Sequence, residues 1–314
     1  MSRKFVVLSF LAGACLIASV FTGASPAQAT YPGINGRLAF GLDTGNGNVD
    51  VYSVTPNGND LRRLTAGPSF DACTAYSPDG RSIAFCSGVF TGPGQGPVQI
   101  WAMQANGKKQ HQITHFDGTA TFPDYSPDGS RIAFTGRPAS AATADIYAAN
   151  TDGSGLVRLT TAPGNDLFPA WSPDGSKIVF LSDRTGVLQV WVMDADGANP
   201  RQLTTDPAPK DQVPDWSPDG TKIAYPSYAT GNGDIYVMNA DGTGQTRLTT
   251  DPAKELGAAW SPDGTKIAFL SFRDLPAARS VYIMNADGSY QHPVHPGGSQ
   301  FVPAWQPLPA EESG

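Results

Sequence analysis

Apolar and polar positions alternate along the chain in a pattern that recurs with nearly identical words. "AWSPDGSKIVF" at 170–180 has sister stretches "AYSPDGRSIAF" at 75–85, "DYSPDGSRIAF" at 124–134, "DWSPDGTKIAY" at 215–225 and "AWSPDGTKIAF" at 259–269. Before the turn, Trp171 and Pro169 fall on one face of an extended strand, with Ala170 and Phe168 on the other. After it, Ile178 and Phe180 share a face and Val179 takes the opposite one. The intervening Ser-Pro-Asp-Gly is turn chemistry: proline fixes φ near −65° at the second position, and Asp and Gly suit the third and fourth. Hairpin pairing across it sets Trp171 opposite Ile178 and Ala170 opposite Val179, giving each two-stranded unit a bulky face and a smaller one.

Four strand-like pieces make up each unit. The first ends on an aromatic residue (Tyr76, Tyr125, Trp171, Trp216, Trp260, Trp305) and the second carries Phe40, Phe85, Phe134, Phe180, Tyr225 or Phe269. The third holds Tyr52, Trp101, Tyr147, Trp191, Tyr236 or Tyr282, and the fourth closes around Leu64, Ile113, Leu159, Leu203, Leu248 or Val294. The turn serines 77, 126, 172, 217 and 261 are spaced by 49, 46, 45 and 44 residues, and a sixth copy at "VPAWQP" has lost its Asp-Gly. A period near 45 with four short strands predicts propeller blades. The pattern enters a unit at its second strand, "GRLAF" (36–40), and leaves on a lone first strand, "FVPAW" (301–305). The expectation is an all-β, six-bladed β-propeller of four-stranded blades over residues 30–308. A composite blade closes the ring, with three strands from the N-terminal side and one from the C-terminal side. Arg62-Arg63, Lys108-Lys109, Arg158, Arg201, Arg247 and Pro293 sit near the outermost strands, where charge and proline discourage edge-to-edge association.

Residues 1–29 read differently. Arg3 and Lys4, an apolar run from Phe5 to Val20 and a close at Ala27-Gln28-Ala29 have the layout of a secretory signal peptide. The run is short for a membrane span. Cys15, after Ala12-Gly13-Ala14, admits a lipoprotein reading, although Ala12 stands where a bulky aliphatic residue is expected. Removing this segment takes two basic residues and moves the net charge from −7 to −9, with a short acidic tail at 309–314. An acidic exported chain is a poor fit for nucleic acid, whose phosphates need a basic face. No later stretch is apolar for long enough to span a membrane.

Candidate chemistry lies beside the repeated turn. Five residues before each first-strand aromatic stand Asp71, Ala120, Asp166, Asp211, Glu255 and Gln300. This position belongs to the loop that returns the chain to the central channel, so four carboxylates there predict a negative mouth able to attract a cation or a basic segment. Asp124 and Asp215, one before the aromatics, add to it deeper in. The competing reading is that each carboxylate caps its own loop. His111, His115, His292 and His295 belong to two separated units, and no metal site or catalytic set is expected from them. The glycine-rich stretches at 43–50, 91–101 and 230–234 precede strands rather than helices and lack calcium-loop spacing, so they read as turns. Cys73 and Cys86 occur together in one unit only. Register across the turn sets them opposite one another, and export favours a disulfide over two buried thiols.

"PAWSPDGSKIVFLSDRTG…QVWVMDADGANPRQLT" (169–204) is very close to the repeat of TolB-type β-propellers, and residues 31–307 resemble that family throughout. The resemblance implies the propeller fold. It does not single out an activity, since similar blades occur in TolB, in prolyl oligopeptidase and tricorn peptidases, and in oligogalacturonate lyases. The α/β domain that precedes the TolB propeller has no counterpart here, nor does an α/β-hydrolase domain, and no G-x-S-x-G elbow occurs. The expected molecule is a monomeric, exported propeller without cofactor, binding a protein or peptide partner as a scaffold of the cell envelope or extracellular space. The alternative is a propeller enzyme acting on polysaccharide.

Overall fold

The computed structural model describes residues 32–309 apart from 46, 89–96, 211, 276–277, 296 and 302. Among these residues all regular structure is β, in six antiparallel sheets. Blade 1 contains Ile34–Asp43, Val49–Val54 and Arg62–Arg63, and its innermost position is filled by Ser299–Gln300 and Ala304–Leu308 from the other end of the chain. Blades 2 to 6 begin with Phe70–Tyr76, Gly118–Tyr125, Asp166–Trp171, Asp215–Trp216 and Glu255–Trp260, and each runs outward through four consecutive strands. The composite closing blade is therefore as expected. The signal-peptide segment and residues 310–314 of the acidic tail lie outside the described residues.

Register next to each turn follows the turn chemistry. Trp171 pairs with Ile178 and Ala170 with Val179. Tyr76 pairs with Ile83 and Ala75 with Ala84. Ser172 Oγ donates to Asp174 Oδ1 at 2.6 Å and accepts from Lys177 N at 2.9 Å, while Asp174 Oδ1 also accepts from Ser176 N at 3.0 Å. The other four Ser-Pro-Asp-Gly turns repeat the Ser–Asp bond.

Farther from the turn the simple register fails. A bulge interrupts the innermost strand between Ala72 and Ala75, Thr121 and Asp124, Leu167 and Ala170, and Leu256 and Ala258. Cys73, Phe122 and Phe168 sit there at φ of 55°, 56° and 58°. Cys86 is consequently opposite Ala72, not opposite Cys73 as the unbroken register predicts. A side chain in the left-handed region costs about 1–2 kcal/mol, and the neighbouring blade helps to hold it. Phe168 N donates to Thr135 Oγ1 at 2.8 Å and Phe122 N to Cys86 Sγ at 3.2 Å.

Packing between blades uses the aromatic rows. Phe40, Phe85, Phe134, Phe180, Tyr225 and Phe269 are all within 1% of full burial. Each such side chain contributes roughly 1.5–3 kcal/mol. The outermost strands are two residues long, short enough to blunt the exposed edge. In blades 1 to 5 a threonine just after this strand ties the edge inward: Val51, Ile100, Ile146, Val190 and Ile235 donate their N–H groups to Thr65, Thr114, Thr160, Thr204 and Thr249.

Hydrogen bonds from Ser126, Ser172 and Ser217 hold the carboxyls of Asp128, Asp174 and Asp219 below the usual carboxylate value. For Asp79 and Asp263 burial opposes the shift, but the same turn bonds prevail. A carboxylate with a depressed folded pKa stabilises the fold fully above its unfolded pKa, near 4, and loses that contribution as pH falls through the folded value. Urea midpoints followed by circular dichroism are expected to hold between pH 7 and 5 and to fall steadily below about pH 4. Asp174→Asn should flatten the fall, and a wild-type midpoint unchanged down to about pH 2 would contradict it.

Candidate functional site

The end of each blade opposite the Ser-Pro-Asp-Gly turn gathers the loop entering the innermost strand and the loop joining the second and third strands. Asp166 opens an innermost strand there, paired with Ser182 at the end of the second. Two residues beyond Ser182, Arg184 turns back: its Nη2 donates to both Asp166 carboxylate oxygens at 2.9 Å and its Nε to Ser182 Oγ at 2.8 Å. The guanidinium lies 4.6 Å from the Trp191 ring centroid, so the ion pair rests on a third-strand aromatic. Blade 6 repeats the device. Glu255 pairs with Ser271, Arg273 donates to Glu255 Oε1 and to Ser271 Oγ, and its guanidinium lies 4.7 Å from the Tyr282 centroid.

These contacts set the state of two of the expected mouth carboxylates. Asp166 and Glu255 are almost wholly buried and neutralised within their own blades, so they are not free members of a negative ring. Asp71 differs. It is 5% exposed and accepts from Ser87 Oγ at 2.7 Å, and burial pushes its carboxyl above the usual range against that bond. Asp211 lies outside the described residues. Beside it Lys210 is buried and donates to Asp206 Oδ1 at 2.7 Å and Ala208 O at 2.8 Å. Gln300, at the sixth position, accepts from Val281 N at 2.8 Å.

Asp124 and Asp215 join blades. Asp124 Oδ2 accepts from Trp171 N and Asp215 Oδ2 from Trp260 N, both at 2.7 Å, so each carboxylate anchors the aromatic strand of the next blade. The structure holds Cys73 and Cys86 buried and in the reduced form, with Cys86 Sγ in the acceptor role that Thr135 Oγ1 fills one blade later. Burial together with hydrogen bonding to Cys73 pushes the Cys86 thiol well above its usual pKa. His111, His115 and His292 are exposed on the outer strands or just after them. Among the described residues no group of His, Cys, Asp and Glu is arranged to hold a metal ion. Asp43 Oδ1 accepts from Gly45 N at 2.8 Å and Gly47 N at 3.2 Å, which makes the 43–50 stretch a carboxylate-capped turn. Much of the glycine-rich stretch at 91–101 is outside the described residues.

Arg279, which the sequence reading passed over, is the unusual cation of this face. It is 8% exposed, its guanidinium lies 3.8 Å from the Phe301 centroid, and its Nε has no partner among the described residues. Burial lowers its pKa to about 10. Phe301 in turn packs edge-on against Phe70 at 5.2 Å, and Phe122 against Phe168 at 4.6 Å, giving an aromatic floor to this end of the molecule.

The ion pairs carry a stability prediction. Arg273→Met leaves the Glu255 carboxylate buried without its cation and is expected to cost about 3–5 kcal/mol in urea unfolding. Adding Glu255→Gln should recover most of the loss. A single variant within about 0.5 kcal/mol of wild type would show that the pair does not neutralise the mouth.

Comparison with known proteins agrees with this architecture. No curated protein matches the chain. Solved structures do, with the fold as the shared property. TolB from Acinetobacter baumannii is 22% identical with a TM-score of 0.73, the match covering 87% of this chain and 67% of that one. A putative TolB from Agrobacterium tumefaciens is also 22% identical, TM-score 0.68, covering 86% of this chain and 91% of that one. A chain of the nidogen/laminin complex is 13% identical with a TM-score of 0.68, covering 87% of this chain and 99% of the other. The TolB beta propeller domain profile matches residues 3–135, 94–213 and 208–309. With six blades closed by a shared sheet and repeat matches along nearly its whole length, the chain belongs to the TolB beta propeller domain family.

Proposed function

We propose that this chain is an exported, non-catalytic binding propeller of the cell envelope or extracellular space, which holds a protein or peptide partner on its loop face. The observation that carries the reading is the fixed state of that face. Asp166–Arg184 and Glu255–Arg273 are locked by serine bonds and aromatic stacking, so no ordering cost falls on them when a partner arrives. Around them Asp71 and Arg279 bring polar groups without an ion-pair partner among the described residues to an aromatic floor. Fixed polar groups around buried aromatics suit recognition better than proton transfer. Asp211 is assigned to the same rim, and Asp124 and Asp215 to holding its geometry. Membership of the TolB beta propeller domain family favours the envelope, and a chain of the nidogen/laminin complex shares the fold.

The test is quantitative capture from the envelope fraction of the source cells on immobilised wild-type protein and on an Asp71→Asn/Arg279→Ala variant shown to melt normally. One protein retained saturably on wild type and at least about tenfold less on the variant supports the reading. Equal retention on both, or no saturable retention on either, overturns it.

Export also places Cys73 and Cys86 in an oxidising compartment, where neighbouring thiols are expected to bridge. Iodoacetamide treatment of the unfolded, unreduced exported protein should add no mass. After reduction it should add two carbamidomethyl groups. Two adducts without reduction would refute the bridge.

A further inference from the structure

On the turn face, opposite the proposed partner surface, clefts open between neighbouring blades. The cleft between blades 2 and 3, about 430 Å³, is lined by the turn carboxylates Asp79 and Asp128 with His111. The cleft between blades 4 and 5, about 510 Å³, mixes Asp174 and Asp219 with Lys177 and Arg201. The one between blades 1 and 2 has a different character. It measures about 590 Å³ and is lined by Arg37, Arg62, Arg63 and Arg81 together with Gln104 and Gln306, with no carboxylate among its lining residues.

Ring closure explains the inversion. Blade 1 takes its innermost strand from the C-terminal side, so it has no hairpin at this end and no Ser-Pro-Asp-Gly aspartate. Gln306 and Pro307 follow Trp305 where the other blades have Ser-Pro, and Leu308 stands where they have Asp. Gln306 bridges the seam, donating from Nε2 to Gly80 O at 2.8 Å and accepting from Arg37 N at 3.2 Å. Beside the cleft the exposed Asp60 is shared between Arg37 at 2.9 Å and Arg62 at 2.5 Å, and the buried Asp50 holds Arg63 at 2.6 Å. Four guanidinium groups thus face two carboxylates. Arg81 is exposed with no ion pair among the described residues, and Asp79 of its own turn lines the next cleft. Arg62 has 59% of its side chain exposed, with its Nε and Nη2 held by Asp60.

We propose that the cleft between blades 1 and 2 is a binding site for a small ligand bearing at least two oxyanion charges, phosphate or carboxylate. Guanidinium groups bind such oxygens through paired, charge-assisted hydrogen bonds. The volume lies in the range of small-molecule sites. On a chain with net charge −7 this basic cleft is a local exception, created where the closing strand displaces a turn. The site is independent of the partner surface on the other face.

Isothermal titration at low salt with inorganic pyrophosphate, and separately with citrate, tests the site and distinguishes a phosphate from a carboxylate ligand. One-site binding that weakens as salt is raised is expected for at least one of them, because exposed charges are screened over about 8 Å at physiological ionic strength. Arg62→Ala and Arg81→Ala, both exposed changes, should each lower affinity about fivefold to tenfold. Lys177→Ala in the cleft between blades 4 and 5 should leave it unchanged. No saturable binding of either anion up to about 10 mM, or binding that survives the Arg62→Ala/Arg81→Ala double change, would overturn the proposal.

Discussion

A strand delivered from the far end of the chain, Ala304–Leu308, pairs with Ile34–Asp43 and turns six stacked sheets into a ring. Without it blade 1 would lack its innermost strand, and the faces of blades 6 and 2 that pack on it would open to water. Contacts run to both sides of the joint. The Trp305 indole N–H donates to Ala259 O of blade 6, and Gln306 reaches the Gly80 carbonyl of blade 2. Gly80 has φ of 67° and lies so close to Pro307 O that a Cβ there would collide with it. The Ser-Pro-Asp-Gly turn of blade 2 thus needs its glycine for closure as well as for the hairpin.

Closure fixes the blade-to-blade spacing, and the polar side chains along the innermost strands serve that spacing. Asp124 and Asp215 each accept from the backbone N–H of the tryptophan in the next blade. Thr135 and Cys86 accept from the left-handed residues at the bulges. Groups that look reactive in sequence are therefore joints in structure. What remains accessible is a loop face of preformed ion pairs and a turn face of clefts whose charge follows local topology. Both faces belong to one ring, so surfaces of different character arise with no helix among the described residues.

The fold was legible because its signal repeats: a turn that only a few residues can make, flanked by apolar alternation, sets period, register and strand order. The bulge was not legible, because Cys73, Phe122 and Phe168 look like ordinary strand residues and their left-handed backbone depends on the neighbouring blade. The arginine partners of Asp166 and Glu255 are hidden in the sequence for a related reason. Arg184 and Arg273 each follow their carboxylate by 18 residues, a fixed offset, but in a different loop of the unit. The same logic links Asp50, Asp145 and Asp234 with Arg63, Arg158 and Arg247 at an offset of 13. Where blades 2 and 4 replace the acid by Gln99 and Gln189, the partner position carries Gln112 and Gln202. Reading carboxylates by position within the repeat gives their places along the strands but not their partners. Pairing them with cations across the repeat was needed to find their state.

Native-state hydrogen exchange on the intact protein tests ring closure most directly, by comparing amides of Ala304 and Trp305 in the closing strand with those of Ala170 and Trp171 inside blade 4. If closure is the constraint that holds the ring, both sets exchange only through global unfolding, with the same opening free energy and the same urea dependence. Exchange of the closing strand through a local opening several kcal/mol below that of blade 4 would show that the ring stands without its clasp, and would contradict the account.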